Sequence, residues 1–130
     1  MKNIALIAFC LVMTGCASLS RPPEDLWMIQ KRINQKWTSV SDQAKWGTYH
    51  YDEGLVTGDE PFSSDCEEYA SAAKYQLEKA GYKALTWVVI ERTGTYHAVT
   101  CTVDGEWCLD NLTGIPAKRD ALGYQWVKVM

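Results

Sequence analysis

The chain has 130 residues, with 13 basic and 16 acidic side chains and a formal net charge of −3. This length suits one domain with a single core. The mildly acidic balance argues against nucleic acid as a partner. Six tryptophans and seven tyrosines supply a large apolar area for so small a core.

The N-terminus has the features of a bacterial lipoprotein signal. Lys2 precedes an apolar stretch over residues 4–13 that is too short to span a bilayer. The stretch ends in Met-Thr-Gly-Cys, which resembles a lipobox, where a lipoprotein signal peptidase cuts before the cysteine and lipid is attached to its sulfur. This cysteine is Cys16. A plain secretory signal is the alternative, but it would not require Cys16.

The chain therefore divides into three predicted segments: a signal peptide at residues 1–15, the lipidated Cys16 with its tether at residues 16–23, and one domain at residues 24–130. Ala17 stands where an inner-membrane retention signal would favour Asp. The expected location is the cell envelope, with the lipid anchored in the outer membrane and the domain facing the periplasm. The lipid is the only expected contact with the membrane.

Two helices are predicted in the first part of this domain. The first covers residues 24–37, where apolar side chains recur at helical spacing at Leu26, Ile29, Ile33 and Trp37. We predict a long aromatic loop over residues 38–62, with room for one short helix, of a kind that often binds ligands. The second helix covers residues 64–80 and begins with a capping box made by Ser64 and Glu67.

Strands are predicted over the rest of the domain. Residues 84–91 are rich in β-forming side chains, and residues 124–129 form a last strand. Between them, an Asp104-Gly105 turn joins the two strands of a hairpin over residues 95–112. Helices packed on this antiparallel sheet give an α+β domain.

The hairpin register brings two cysteines together. A two-residue turn at Asp104-Gly105 places Cys101 opposite Cys108, near the Cα separation that a disulfide needs. We predict this disulfide, which leaves Cys66 as a free thiol. Two alternatives stay open: Cys101 and Cys108 as buried free thiols, or Cys66 as the structural partner of one of them.

Three residues have the order and setting of a nucleophile, its base and the group that orients the base. Cys66 lies at the start of the second helix, where the helix N-terminus favours a thiolate. His97 lies in the first hairpin strand, and Asp110 in the second can fix the imidazole tautomer. Each residue also has an ordinary explanation, as a packed thiol, a core histidine or a turn-forming aspartate. A catalytic site explains all three positions at once.

The same register predicts where these side chains point. It pairs His97 with Leu112 and Val99 with Asp110, so that Asp110 is the diagonal neighbour of His97. One face of the hairpin then carries His97, Val99, Cys101, Cys108, Asp110 and Leu112. This face is expected to meet the helix that carries Cys66.

Acidic side chains surround the predicted nucleophile. Asp65, Glu67 and Glu68 share a helical turn with Cys66, and their charges oppose a thiolate. A solvated acidic helix start is the simpler explanation. A bound Ca²⁺ is the alternative, since clustered carboxylates suit this ion.

The chain resembles the bacterial transglutaminase-like cysteine proteinases, the family of LapG-like periplasmic proteases. The resemblance rests on Ser-Asp-Cys-Glu-Glu-Tyr at residues 64–69, His-Ala-Val at residues 97–99 and Leu-Asp-Asn at residues 109–111. Ser64 stands where the family has Gly, and Glu68 stands where it has a second Asp.

This resemblance implies a papain-like, transglutaminase-type core, in which an N-terminal helix and the cysteine-bearing helix pack on an antiparallel sheet. It implies cleavage of a peptide or amide bond through a thioester, with Cys66 as nucleophile, His97 as base and Asp110 as orienter. No cofactor is required for this chemistry. Family members bind Ca²⁺ through acids around the nucleophile, which points to Asp65 and Glu67 here.

Two donors are expected for the oxyanion hole. The backbone N–H of Cys66 is the first, because it lies beside the nucleophile. By analogy with transglutaminases, an upstream indole is the second, and Trp46 is the candidate. The alternative for Trp46 is a place in the core.

The sequence thus predicts a lipid-anchored envelope cysteine peptidase that acts, as a monomer, on a protein or peptide substrate in the envelope. Acyl transfer to an amine and cleavage of a peptidoglycan cross-link would use the same chemistry. The alternative from another class is a non-catalytic lipoprotein of the same fold that binds an envelope partner, as an inhibitor or an exclusion factor.

Overall fold

A computed structural model describes residues 21–41 and 55–130 of the chain. Cys16 and Trp46, assigned above to lipid attachment and to the oxyanion hole, lie outside the described residues. Of the helices found within those two stretches, none has the length and apolar character needed to cross a membrane.

The first helix, α1, spans Glu24–Lys36. Two acidic residues occupy its first turn, where the helix dipole favours negative charge. The side chains of Leu26, Ile29 and Ile33 are buried, as their spacing predicted. Trp37, the fourth residue of that predicted face, instead begins a strand.

A small parallel sheet links the end of α1 to the start of the next helix. It consists of β1, Trp37–Ser39, and β2, Phe62–Ser64. The prediction of loop throughout residues 38–62 is therefore wrong at both ends. The cause is length, since strands of three residues are too short to show an alternating pattern.

The second helix, α2, spans Cys66–Lys79, so Cys66 is its first residue. Its N-cap is Asp65, whose carboxylate accepts the N–H of Glu67 at 3.0 Å. The predicted capping box with Ser64 is wrong, because Ser64 belongs to β2 and pairs with Ser39.

The main sheet has four antiparallel strands in the order β5-β4-β3-β6. The short helix α3, Arg119–Leu122, precedes the last strand. Mixed helices and an antiparallel sheet confirm the predicted α+β class. The strands are β3, Ala84–Ile90; β4, Tyr96–Thr102; β5, Cys108–Leu109; and β6, Gln125–Val129.

Both faces of this sheet are covered. On one face, α1 and α2 build the larger core, and the hydroxyl of Thr100 in β4 donates to the carbonyl of Ala70 in α2 at 2.6 Å. On the other face, Val99 packs in a second cluster that includes Leu122 of α3. The guanidinium of Arg119 lies 4.2 Å from the Trp126 ring centroid on that side.

The second cluster corrects one prediction about the hairpin. Val99, Cys101 and Cys108 do share a face, but they pack in the cluster with Leu122, not against α2. Residues 97–102 of β4 are all buried. In a strand that is covered on both sides, polar and apolar residues do not alternate. The sequence therefore does not indicate which face meets a given helix.

The register at the cysteines is the one predicted. Cys101 pairs with Cys108, and their sulfur atoms are bonded at 2.05 Å. The turn itself differs, because the N–H of Gly105 donates to Thr102 and the N–H of Val103 bonds to Lys83 of the neighbouring segment. Among the described residues, the free cysteine is Cys66.

Candidate active site

Cys66 occupies a helix terminus that opens into a cleft. As the first residue of α2, it lies where backbone N–H groups lack intrahelical acceptors and the helix dipole favours negative charge. Its side chain is half-buried and forms part of the cleft lining. A thiol at this position can reach a molecule that is bound in the cleft.

His97 brings an imidazole to this thiol. It is the second residue of β4 and pairs with Val89 of β3. Its side chain lies near enough to the Cys66 thiol to interact with it electrostatically. Thr100, further along the strand, contacts Ala70 in the next turn of α2. Strand β4 and helix α2 thus run in the same direction, and the base lies beside the nucleophile at the beginning of both elements.

Asp110 completes the contact chain from the other side of the imidazole. It directly follows β5 and is fully buried. Its Oδ1 lies 2.8 Å from His97 Nε2 and also accepts the N–H of Leu112 at 3.0 Å. With Nε2 engaged by the carboxylate, Nδ1 is the ring nitrogen left to face the thiol.

The predicted pairing of His97 with Leu112 does not form. Strand β5 ends at Leu109, and the chain turns because the N–H groups of Thr113 and Gly114 both donate to the carbonyl of Asp110 at 3.2 Å. Aspartate side chains favour such turns by accepting a backbone N–H two residues on. Asp110 reaches His97 from the beginning of a turn, not from within a strand.

Tyr124 belongs to the site, although the sequence predicted only that it begins the last strand, which in the structure starts one residue later. Its hydroxyl donates to Asp110 Oδ2. Its ring meets His97 edge-on, with centroids 5.7 Å apart and planes inclined at 72°. No motif or spacing in the sequence indicated this role, because it depends on the course of the chain around α3.

The contacts set the protonation of the pair. Burial acts to lower the pKa of His97, but the hydrogen bonds and charges of Asp110 and Cys66 outweigh it and raise the pKa to about 9. Burial acts to raise the pKa of Asp110, yet its hydrogen bonds from His97 and Tyr124 hold that pKa below its usual value. At neutral pH the site thus favours an imidazolium held by a carboxylate.

The cleft beside Cys66 has a volume of about 610 Å³, which is enough for several side chains of a peptide. Its lining is partly apolar, and it carries carboxylates near the nucleophile and a lysine on β6. The residues are Asp65, Cys66, Glu67, Val88, Tyr96, His97, Ala98, Val127, Lys128 and Met130.

The two carboxylates assigned to Ca²⁺ by resemblance, those of Asp65 and Glu67, line this cleft. One oxygen of Asp65 already accepts the N–H of Glu67 as the helix cap. Within residues 21–41 and 55–130, no group of three or more His, Cys, Asp or Glu side chains could hold a metal ion. The carboxylates of Asp65 and Glu67 alone supply fewer oxygens than the six to eight that Ca²⁺ takes.

The structure therefore brings Cys66, His97 and Asp110 together, with Asp65 and Glu67 at the rim of the same cleft. Cys101 and Cys108 lie apart, in the cluster with Leu122.

Comparisons with known proteins agree with this arrangement. The family model described as bacterial transglutaminase-like cysteine proteinase matches residues 14–130. Two solved structures of Legionella pneumophila LapG, the second EGTA-treated, superpose on the chain with TM-scores of 0.61 and 0.60. Each is 20% identical, each alignment covers 87% of this chain, and the alignments cover 68% and 66% of the LapG chains. No curated protein matches the chain in sequence.

The similarity to LapG shows a transglutaminase-like fold, which confirms the predicted core. The family match spans nearly the whole chain and includes every residue of the candidate site. The chain belongs to the family of bacterial transglutaminase-like cysteine proteinases.

Proposed function

We propose that the chain is an envelope peptidase that cleaves a peptide or amide bond through a covalent thioester on Cys66. The observation that carries this proposal is the buried His97–Asp110 pair, with its 2.8 Å contact, in the same cleft as a thiol at a helix N-terminus. A buried imidazolium is costly unless it is paired, and the pairing here directs the imidazole at one sulfur.

Acylation follows from the protonation of the site. The Cys66 thiolate attacks the carbonyl carbon of the scissile bond and forms a tetrahedral intermediate. The backbone N–H of Cys66 lies at the helix terminus, where it can donate to the oxyanion. His97 then gives its proton to the leaving amine, the C–N bond breaks, and a thioester remains.

Deacylation reverses the proton transfer. His97, now neutral, takes a proton from water as the water attacks the thioester carbonyl. The C–S bond breaks, the carboxylic acid product leaves, and the Cys66–His97 pair is restored. Asp110 stays ionised throughout and holds the ring so that Nδ1 faces the sulfur.

The proposal also keeps four expectations from the sequence, which concern the location, the substrate, the oligomeric state and the oxyanion hole. Lipid attachment at Cys16 would hold the domain at the outer membrane, facing the periplasm, and the substrate would be a protein or peptide of the envelope. The enzyme would act as a monomer. Trp46 stays the proposed second oxyanion donor. No step is assigned to Ca²⁺, because the described carboxylates do not form a site for it.

The test is alkylation of Cys66 by iodoacetamide between pH 5 and 9, without reductant, on the soluble domain starting at Ala17. We expect labelling at Cys66 to be at least tenfold faster at pH 6 than that of a simple thiol, which is mostly protonated there. His97→Gln should remove this excess. Digestion of a denatured protein, followed by mass spectrometry of new N-termini, tests cleavage itself.

Two controls make the result interpretable. Cys66→Ser must abolish both labelling and cleavage, and the folded state of His97→Gln is checked by circular dichroism. Asp110→Asn offers a second variant in case His97→Gln does not fold. Labelling at the rate of a simple thiol would overturn the proposed peptidase activity. It would favour the alternative, a lipoprotein that binds an envelope partner.

A further inference from the structure

Two polar side chains of α1 reach across the molecule to the turn that begins at Asp110. Gln30 Nε2 donates to the backbone carbonyl of Asp110 at 2.9 Å. One helical turn later, Asn34 Nδ2 donates to the carbonyl of Gly114 at 2.8 Å. Because residues four apart lie on one face of a helix, α1 holds both ends of this turn.

The helix of the nucleophile joins the same contacts through Tyr69, three residues after Cys66. Its hydroxyl accepts a hydrogen bond from Gln30 Nε2 at 3.2 Å and donates one to Asn34 Oδ1. Its ring meets Trp37 edge-on at 5.0 Å. We call Gln30, Asn34 and Tyr69 the buried strut, since they connect α2 to the Asp110 turn by way of α1.

The strut places polar side chains where apolar ones would stabilise the core better. Gln30 is fully buried, and its Oε1 makes no hydrogen bond with the described residues. A buried amide that is only half satisfied costs free energy, which an apolar side chain of similar size would not. The neighbours Leu26, Ile29 and Ile33 show that this face of α1 accepts aliphatic residues.

The contacts of Asp110 show how the side-chain amide of Gln30 affects the catalytic pair. The carbonyl of this residue is bonded to Gln30, while its carboxylate is bonded to His97. Fixing the backbone of Asp110 therefore fixes the oxygen that orients the imidazole. Tyr69 connects the same amide to the first turn of α2, where the thiol lies.

We propose that the buried strut is a set of positioning residues that sets the placement of the His97–Asp110 pair relative to Cys66. This inference rests on the proposed Cys–His–Asp site. The strut touches neither the substrate nor the reacting atoms, and it acts through the backbone of Asp110 and the first turns of α2.

Gln30→Leu separates positioning from stability, since it removes the donor and the unsatisfied oxygen together. We expect the titration midpoint of His97, followed by NMR, to fall towards its ordinary value of 6.5 as the carboxylate loosens. Labelling of Cys66 at neutral pH should fall by roughly tenfold to a hundredfold. The urea midpoint at pH 10, where His97 is mostly neutral in both proteins and its pairing no longer contributes, should stay level or rise. Tyr69→Phe, which keeps the ring, should move His97 in the same direction.

Ile33→Val is the matched control, because Ile33 is buried on the same helix and lies outside the strut. It should lower the urea midpoint and leave His97 unmoved. The charged and titratable groups in contact with His97 are Asp110, Cys66 and Tyr124, so the titration is repeated in a Cys66→Ser background. If the strut acts as one unit, Gln30→Leu with Tyr69→Phe should match the larger single effect.

An unmoved His97 midpoint in folded Gln30→Leu and Tyr69→Phe would overturn the positioning role, as would an equal shift in Ile33→Val. The midpoint is measured without substrate or turnover. Slow labelling of the wild-type thiol would therefore contradict the proposed peptidase activity. The His97 titration would still decide whether the strut orients the His97–Asp110 pair.

Discussion

Asp110 is bonded through each of its three oxygen atoms. Oδ1 accepts from His97 and the N–H of Leu112, Oδ2 accepts from Tyr124, and the carbonyl accepts from Gln30 and from the turn that follows. The sequence offered two alternative explanations of Asp110, as a turn former and as the group that orients the histidine. Its contacts show that both descriptions are correct. The turn holds the carboxylate still, and a still carboxylate can orient a ring.

The pairing at His97 predicts a pH-dependent stability. A pKa of about 9, raised above the ordinary value of 6.5, gives a stabilising contribution that is full below pH 6.5 and is lost as pH rises through 9. In a Cys66→Ala background, which removes the ionisation of the thiol, Asp110 still supplies this pairing. We expect the free energy of unfolding in urea to fall by on the order of 1–3 kcal/mol between pH 6.5 and 9.5.

The control is the double variant Cys66→Ala with His97→Gln, for which the free energy of unfolding should be nearly flat over the same range. An equal slope in both variants would assign the pH dependence to other groups and contradict the raised pKa of His97.

The sequence allowed Cys66, His97 and Asp110 to be chosen because local signals mark them: a helix start, a strand and a hairpin register. Tyr124 and Gln30 had no such signal. Tyr124 follows Asp110 by 14 residues and Gln30 precedes it by 80, and each contact exists only after the chain has folded. A buried glutamine in a helix is indistinguishable from a surface one until its surroundings are known.

At the scale of elements, the start of α2 shows where a local motif fails. Ser64 followed by Glu67 has the spacing of a capping box, and the helix was placed within two residues of its true start. The cap is nevertheless Asp65, because the carbonyl of Ser64 accepts the N–H of Val40 at 2.9 Å as part of the small sheet. The pairing of Ser64 with a segment more than twenty residues away thus determines that Asp65, and not Ser64, caps the helix.

Asp65→Ala should therefore destabilise the fold by about 1 kcal/mol, because the N–H of Glu67 loses its acceptor at the end of α2. Urea unfolding at neutral pH measures this change. Asp65→Asn is the matched variant, since asparagine caps helices as well as aspartate does. Equal losses for both substitutions would show that the negative charge matters, not the cap.

At the scale of the molecule, a central sheet separates two clusters of buried side chains. The larger cluster lies under α1 and α2, and the smaller one lies under α3. Periodicity revealed the helices, the strands and the α+β class. It did not reveal the second layer, because α3 has four residues, too few for an apolar stripe, and because β4 is buried on both faces.

The larger cluster predicts a strong contrast between two identical substitutions. Leu77 of α2 is fully buried, whereas the side chain of Leu112 is 56% exposed. Leu77→Ala should lower the free energy of unfolding by about 2–5 kcal/mol, since it leaves a cavity between the helices and the sheet. Leu112→Ala should change it by no more than about 0.5 kcal/mol. Chemical denaturation of the two variants side by side checks both values, and similar losses would contradict the described core.

The chain spans about two thirds of the LapG chains it resembles. What the two share is the fold, at 20% identity. The substrate of this chain must therefore be inferred from its own cleft, whose lining includes Lys128 and the carboxylates of Asp65 and Glu67.

The bond between Cys101 and Cys108 has a consequence for how the domain matures. In the envelope location proposed for it, the chain would meet oxidants before it folds, and Cys66 could then form a disulfide with the wrong partner. Cys101 and Cys108 are 7 residues apart, whereas Cys66 precedes Cys101 by 35. By the entropy of loop closure, the short ring is favoured roughly tenfold over the long one. The two thiols of the hairpin are thus oxidised first, and this order leaves free the sulfur that the proposed chemistry uses.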